Sequence, residues 1–264
     1  MSENTNVNGV ADLTVDRRAK ILEMLENKGQ VRIPELSKIF NVSEVTIRND
    51  LEQLEQKNLL IRTRGGALKI QRVGIDYNLN LKSKKHKAEK EKIGIKAASL
   101  VNDGETIILD SGTTTFELAK NLSGINDLTV ITNALNIAGL LVDYPEIKVI
   151  MPGGTLRRNS LSLIGAIAEE SIQNYFCDKL FLGVDGIDSV FGISTPNAEE
   201  AHLNKLMIRN SKEVIVVTDS SKFGKRSFVL IEAIDKIDTV VTDKGIPEEE
   251  YQKLISLGKK VILA

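Results

Sequence analysis

The chain has 264 residues with 35 basic and 36 acidic side chains, a balance that by itself points to no anionic partner. A single cysteine, Cys177, excludes an intramolecular disulfide and favours the cytoplasm, and two histidines with one cysteine fall short of the usual structural zinc set. No apolar run approaches the roughly 20 residues that span a bilayer, and residues 1–12 lack the basic-then-apolar pattern of a secretory leader; no membrane, metal or cofactor is expected.

The charge is unevenly placed. Residues 1–15 carry −2 and read as a disordered tail, residues 16–90 carry +7 and residues 91–264 carry −6. A basic head on an acidic body is expected where one domain meets nucleic acid and the other does not. In the head, Ile21, Leu22 and Leu25 at helical spacing predict a helix over 17–28, stopped by Gly29. Pro34 suits a first helical position, and Leu36, Ile39 and Phe40 predict a second short helix ending at Asn41. Ser43 can N-cap a third helix, in which Ile47, Leu51 and Leu54 form one buried stripe. Glu44, Thr46, Arg48 and Asn49 then face away from much of that stripe, and Thr46, Arg48 and Asn49 can hydrogen-bond phosphates and base edges. Residues 59–70 read as a β-hairpin made basic by Arg62, Arg64 and Lys69, with Gly65-Gly66 supplying the positive φ angles of a tight turn. Three helices and a basic hairpin in this order make a winged helix-turn-helix over 16–70. Its expected partner is double-stranded DNA, with Arg17, Ser43, Glu44, Thr46, Arg48, Asn49, Arg62 and Arg64 as candidate contacts.

Residues 71–90, with Lys82, Lys84, Lys85, Lys87 and Lys90, read as a basic linker, either solvated or the exposed start of a helix. Beyond it a helix over 93–100 precedes short apolar runs at 106–109, 129–131, 147–151, 179–184, 214–217, 239–241 and 260–263. Helical stretches such as 116–122 and 199–210 separate most of them. β-branched runs alternating with helices predict a mainly parallel α/β sheet, covered on both faces because its strands are nearly all apolar. Small and polar residues collect at the carboxyl ends of the runs, where open α/β sheets bind ligands. The sharpest of these ends is Asp110-Ser111-Gly112-Thr113-Thr114-Thr115, leading to a helix expected near Phe116. Gly112 admits close approach, and helix-start N–H groups with the hydroxyls make an anion site. It lacks both the P-loop lysine and GxGxxG spacing, so neither ATP nor NAD is implied. Thr132-Asn133, Gly153-Gly154, Asp185 and Lys222 stand at the other ends.

Together these motifs resemble the DeoR family of bacterial sugar-catabolism repressors over 16–264. The head carries Val42-Ser43, Thr46-Ile47-Arg48-Asn49-Asp50-Leu51 and Arg64-Gly65-Gly66-Ala67. The body carries Leu109-Asp110-Ser111-Gly112-Thr113-Thr114, Thr132-Asn133, Gly153-Gly154, Phe181-Leu182-Gly183, Glu200-Ala201 and Asp219-Ser220-Ser221-Lys222-Phe223. Segments 181–188, 192–195 and 200–204 look closest to repressors of N-acetylgalactosamine and galactosamine use. The resemblance implies a sensor over 91–264, related in fold to ribose-5-phosphate isomerase and the amino-sugar-phosphate deaminases. Ser111 to Thr115 would hold the phosphate of a sugar or amino-sugar effector, with Asp185, Glu200 and Lys222 nearby. It further implies a homodimer or homotetramer. Two alternatives stand beside it: a sugar-phosphate isomerase or deaminase on a DNA-binding head, using Glu200, Asp185 and Lys222, and a constitutive DNA-binding protein whose body only oligomerises.

Overall fold

The structure is a computed structural model that describes residues 6–70 and 75–264, with the side chains of residues 6–12 left out of the description. The chain divides into two units, residues 1–85 and 86–264.

In the first unit, α1 (Asn6–Lys28), β1 (Gln30–Arg32), α2 (Ile33–Phe40), α3 (Glu44–Gln56), β2 (Ile61–Thr63) and β3 (Gly66–Leu68) are followed by α4 (Leu79–Lys84). Three helices and a sheet in the order β1-β3-β2 are a winged helix-turn-helix. Its core gathers Ile21, Leu22, Leu25, Leu36, Ile47, Leu51 and Leu54 with Leu81 of α4, so the apolar stripes read from spacing are the ones buried, except that Ile39 of α2 faces outward at 53% exposure. Three expectations change. Residues 6–15 belong to α1 rather than to a tail, since no proline interrupts the helical run there; residues 1–5 lie outside the described residues. The linker is partly helical, because Leu81 gives α4 an apolar anchor and Asn78 caps it through Leu81 N–H (2.9 Å); residues 71–74 lie outside the described residues. Neither Gly65 nor Gly66 has a positive φ.

Gly66 serves close approach instead. It pairs with Arg32 across the β1–β3 ladder, and a Cβ at Gly66 would lie 1.9 Å from Val31 O. Since the neighbour is backbone, it can yield only by parting the strands. Gly66→Ala is therefore expected to cost about 1–3 kcal/mol and to loosen the wing. Hydrogen exchange of the Val31 and Ala67 amides would show it as faster exchange than in wild type; equal protection would refute it.

The second unit begins with α5 (Lys87–Ala98), β4 (Thr106–Leu109), α6 (Thr113–Ala119), β5 (Leu128–Thr132), α7 (Leu135–Leu141) and β6 (Ile147–Ile150). A hairpin of β7 (Thr155–Arg157) and β8 (Ser162–Ile164) follows, then α8 (Ala166–Ile172), β9 (Cys177–Leu182), β10 (Gly186–Asp188) and β11 (Gly192–Thr195). The unit closes with α9 (Ala198–Arg209), β12 (Ser211–Val217), β13 (Val229–Glu232), β14 (Thr239–Thr242), α10 (Glu248–Ser256) and β15 (Lys260–Leu263). The seven predicted apolar runs are the seven strands of one parallel sheet, ordered β15-β14-β12-β9-β4-β5-β6. Alternate residues of each strand enter different cores. Ile107 and Leu109 pack with α5, α6 and α7, whereas Ile108 packs with α8, α9 and α10.

Strand order locates the ligand crevice. From β4 the chain adds β5 and β6 on one side, then returns to add β9 on the other. β4 and β9 therefore flank the point where the winding reverses, and open α/β sheets bind ligands outside the carboxyl ends of such strands. Asp110 and Gly183 stand at those two ends.

Candidate functional site

In the head, the start of α3 is built by its own polar residues. Ser43 Oγ accepts from Thr46 N–H (3.1 Å) and lies 2.9 Å from Thr46 Oγ1, so these two predicted contacts also cap the helix. Glu44 pairs with Arg48 (2.7 Å) across one turn, an exposed pair of the kind worth about 0.3–0.5 kcal/mol; it leaves Arg48 available to a stronger anion. Arg48 and Asn49 are exposed together with Val45, an apolar side chain in the first turn of α3. On the wing, Arg62 and Arg64 are exposed; the Arg62 guanidinium lies 3.7 Å from Glu55, and its backbone N–H donates to the same carboxylate.

Arg17 is placed differently from the expectation. With Arg18 it clamps Asp50 of α3, at 2.5 and 2.8 Å, and Asp50 is only 2% exposed. The Arg17 side chain is itself largely covered. Its charge answers a buried carboxylate inside the domain, which sequence spacing between two separate helices does not reveal.

In the body, α6 begins at Thr113, three residues before the expected start. Thr115 Oγ1 donates to Gly112 O (3.0 Å), tightening the turn; Thr114 and Thr115 are buried, and Ser111, Gly112 and Thr113 are half-buried. The N–H groups of Thr113 to Thr115 precede the first intrahelical bond, from Phe116 N–H to Gly112 O. Asp110 is buried across the switch point from Gly183: a Cβ on Gly183 would lie 3.7 Å from Asp110 Oδ2 and 3.9 Å from Gly112 Cα.

A polar chain connects this point to the β7–β8 hairpin. With its amide turned so that the nitrogen meets both acceptors, Asn204 Nδ2 donates to Asp110 Oδ1 (3.1 Å) and to Glu200 O (3.2 Å). Glu200 lies in the first turn of α9, where Asn197 accepts from its N–H (2.9 Å). Its Oε1 accepts from Arg157 Nη1 (3.3 Å) and Ser162 Oγ (3.1 Å), and Ser160 Oγ meets both Arg157 Nη1 (2.9 Å) and Ser162 Oγ (2.7 Å). At the end of β5, Thr132 Oγ1 accepts from Ala134 N–H, and Asn133 is fastened to the hairpin through Leu163 N–H to Asn133 O (2.8 Å). The hairpin is strained. Leu161 has φ +52°, a left-handed conformation costing about 1–2 kcal/mol for a residue with a Cβ. Gly154, at φ +112°, leaves no room for a Cβ, which would lie 2.6 Å from Ile164 O.

A second cluster lies at the ends of β9 and β12. Lys222 Nζ is 3.5 Å from Asp185 Oδ1. Burial pushes the Asp219 carboxyl up, but Lys222, Lys90, the Ser221 hydroxyl and His86 outweigh it and hold it below the usual carboxylate range. Lys90 is 5% exposed, not solvated as the linker reading had it, because it shares a helix face with Ile93 and Ala97. Burial, with Asp178, pushes the Cys177 thiol up to about 11, far from a reactive thiolate.

Sequence reasoning thus gave no site role to Arg157, Asn204 or Lys90, and held Asp219 only as part of a strand-end motif. Asn204 was accessible to it, four residues after Glu200 on one helix face. Arg157 was not, since nothing local tells which side of a hairpin meets a distant helix. Among the described residues no group of three or more His, Cys, Asp or Glu could hold a metal ion, and no helix is long and apolar enough to cross a membrane.

A winged helix-turn-helix joined to a parallel α/β unit with a polar switch point defines a two-domain class of transcriptional regulators. The chain belongs to the DeoR family: residues 17–73 match the DeoR-like helix-turn-helix domain, and residues 85–244 match the DeoR C-terminal sensor domain. One similar protein, from Escherichia coli O157:H7, has a name that assigns it to transcriptional repression of the aga operon; it is 40% identical over 98% of both chains. The transcriptional repressor GlcR of Bacillus subtilis strain 168 is 37% identical over 91% of this chain and 92% of its own. Both names are those of regulators, which sets aside the isomerase or deaminase reading. Among solved structures, ribose-5-phosphate isomerase A of Methanocaldococcus jannaschii is 20% identical over 53% of this chain and 55% of its own, with a TM-score of 0.40.

Proposed function

We propose that the protein is a cytoplasmic, homo-oligomeric repressor of a sugar or amino-sugar catabolic operon, released from its operator by a phosphorylated sugar. The carrying observation is one chain in which a DeoR helix-turn-helix accompanies a sensor domain with hydroxyls, amides and charged groups gathered at its switch point. Residues 16–70 bind operator DNA through Ser43, Glu44, Thr46, Arg48, Asn49, Arg62 and Arg64. Residues 71–90 connect, and residues 91–264 sense and oligomerise. The effector lies among Asp110, Ser111, Gly112, Thr113, Thr114, Thr115, Thr132, Asn133, Glu200, Asp185 and Lys222, with Gly153 and Gly154 shaping the hairpin beside it. The 181–188, 192–195 and 200–204 segments support an amino-sugar phosphate.

A single head with its basic linker, residues 16–90 with a charge of +7, gives modest, salt-sensitive binding. Two heads on half-sites one helical turn apart, or a multiple of it, supply the rest, which supports a homodimer or homotetramer. The effector acts only if it binds the DNA-free arrangement better than the DNA-bound one.

The test is a mobility shift of the full-length protein on the DNA upstream of its own gene, with a panel of sugar phosphates. A retarded band that one of them releases is the expected result. A band that no sugar phosphate releases, with none raising the melting temperature, would leave the body an oligomerisation domain only.

A further inference from the structure

Glu200 is held by one of its two carboxylate oxygens. Both Arg157 and Ser162 donate to Oε1, the backbone N–H goes to Asn197 and the carbonyl to Asn204. Oε2 receives no hydrogen bond among the described residues and keeps some exposure, although Glu200 as a whole is only 9% exposed. A second acceptor without a donor, and a fully buried one, is Asn133 Oδ1: the residue is 1% exposed and its Nδ2 donates to Leu163 O (3.4 Å). Both residues are fastened to one hairpin, Glu200 through Arg157 and Ser162, and Asn133 through Leu163.

A buried acceptor without a donor is costly and uncommon, so Asn133 Oδ1, with the open Glu200 Oε2 fastened to the same hairpin, points to a ligand that supplies the donors. The chemistry of the missing group is constrained. A phosphate dianion brings acceptors only and would be repelled by both atoms. Hydroxyl or amino hydrogens of a polyol satisfy both. Arg157 also balances the Glu200 charge, so a neutral hydroxyl can bond to Oε2 without needing a cation of its own.

We propose that Arg157 is a positioning residue of the effector site. It holds Glu200 by Oε1 so that Oε2, together with Asn133 Oδ1, reads the hydroxyl or amino groups of the sugar, in a subsite separate from the one that takes the phosphate at Ser111 to Thr115. The strained hairpin sets its register. This rests on the effector reading above.

The experiment compares two ligands on the full-length protein: the tightest binder of a hexose 6-phosphate panel and inorganic phosphate at millimolar concentration, each followed by calorimetry and by thermal shift. Arg157→Met is expected to weaken the sugar phosphate tenfold or more while leaving inorganic phosphate within about twofold; Arg157→Lys, which keeps a donor, should recover part of the loss. Glu200→Gln, which keeps the shape, should show the same split and carries the test if Arg157→Met does not fold. Equal loss of both ligands would overturn the proposal, because Arg157 would then touch the anion. So would an unchanged sugar-phosphate affinity in both Arg157→Met and Glu200→Gln. Wild type that binds no member of the panel would instead refute the effector reading itself.

Discussion

Asp50→Ala is expected to destabilise the head and weaken operator binding while leaving the sensor domain able to bind its ligand. Asp50 sits on α3 at 2% exposure and receives both Arg17 and Arg18 from α1. Removing one partner of a buried ion pair costs more than the pair contributes, about 3–5 kcal/mol, because it leaves uncompensated charge inside the protein. Here two guanidiniums lose their acceptor at once. Both keep some contact with water, with side chains 14% and 21% exposed, so the lower end, about 3 kcal/mol, is the better figure. For a unit of this size, total stability is of order 4–13 kcal/mol, and such a loss takes away a large share. Hydrogen exchange of the α3 amides should accelerate markedly, and the thermal transition of the head should fall by roughly 12–24 °C. Asp50→Asn, which keeps an acceptor without the charge, should fall between the two. Slow α3 exchange in Asp50→Ala, at the wild-type rate, would show that the clamp is ornamental and return Arg17 to the list of DNA contacts.

The same residue shows where a sequence stops being legible. Ile47, Leu51 and Leu54 could be read as core because helical periodicity is local: every term is visible within a dozen residues. The seven strands of the body were likewise visible, because burial on both faces of a parallel sheet leaves a nearly continuous apolar run. Asp50 lies in that same window but reads as one more polar residue, since its partners are 32 and 33 positions away. Arg157 is 43 positions from Glu200, and Lys90 was read from the composition of a lysine-rich stretch although helix phase buries it. Polar groups at strand ends were found because the topology rule is general. Which of them touch is decided by packing between elements, and no periodicity encodes that. Gly66 is the converse case. It was read as a turn glycine needed for its φ, but it is a strand glycine needed for its missing Cβ.

Thr113→Asp is expected to produce a protein that stays on its operator at effector concentrations that release wild type. Thr113 opens α6 directly after Gly112 and is half-buried at the switch point. A carboxylate at the first turn of a helix is locally favourable, by about 0.3–1 kcal/mol, so the fold should tolerate the change. The ligand should not. Two like unit charges about 4 Å apart at an effective dielectric of about 20 repel by roughly 4 kcal/mol, on the order of a thousandfold in affinity, and a phosphate dianion carries more than one. The head, in a separate unit, keeps its stripe, cap and wing. Operator affinity without effector should therefore match wild type, while both the ligand-induced release and the ligand-induced rise in melting temperature disappear. Thr113→Asn separates charge from shape: it removes the hydroxyl but adds no charge, and should retain most of the response. If Thr113→Asp releases operator at the wild-type effector concentration, the phosphate does not lie at the 111–115 turn, and the cluster around Lys222 is where it must be sought.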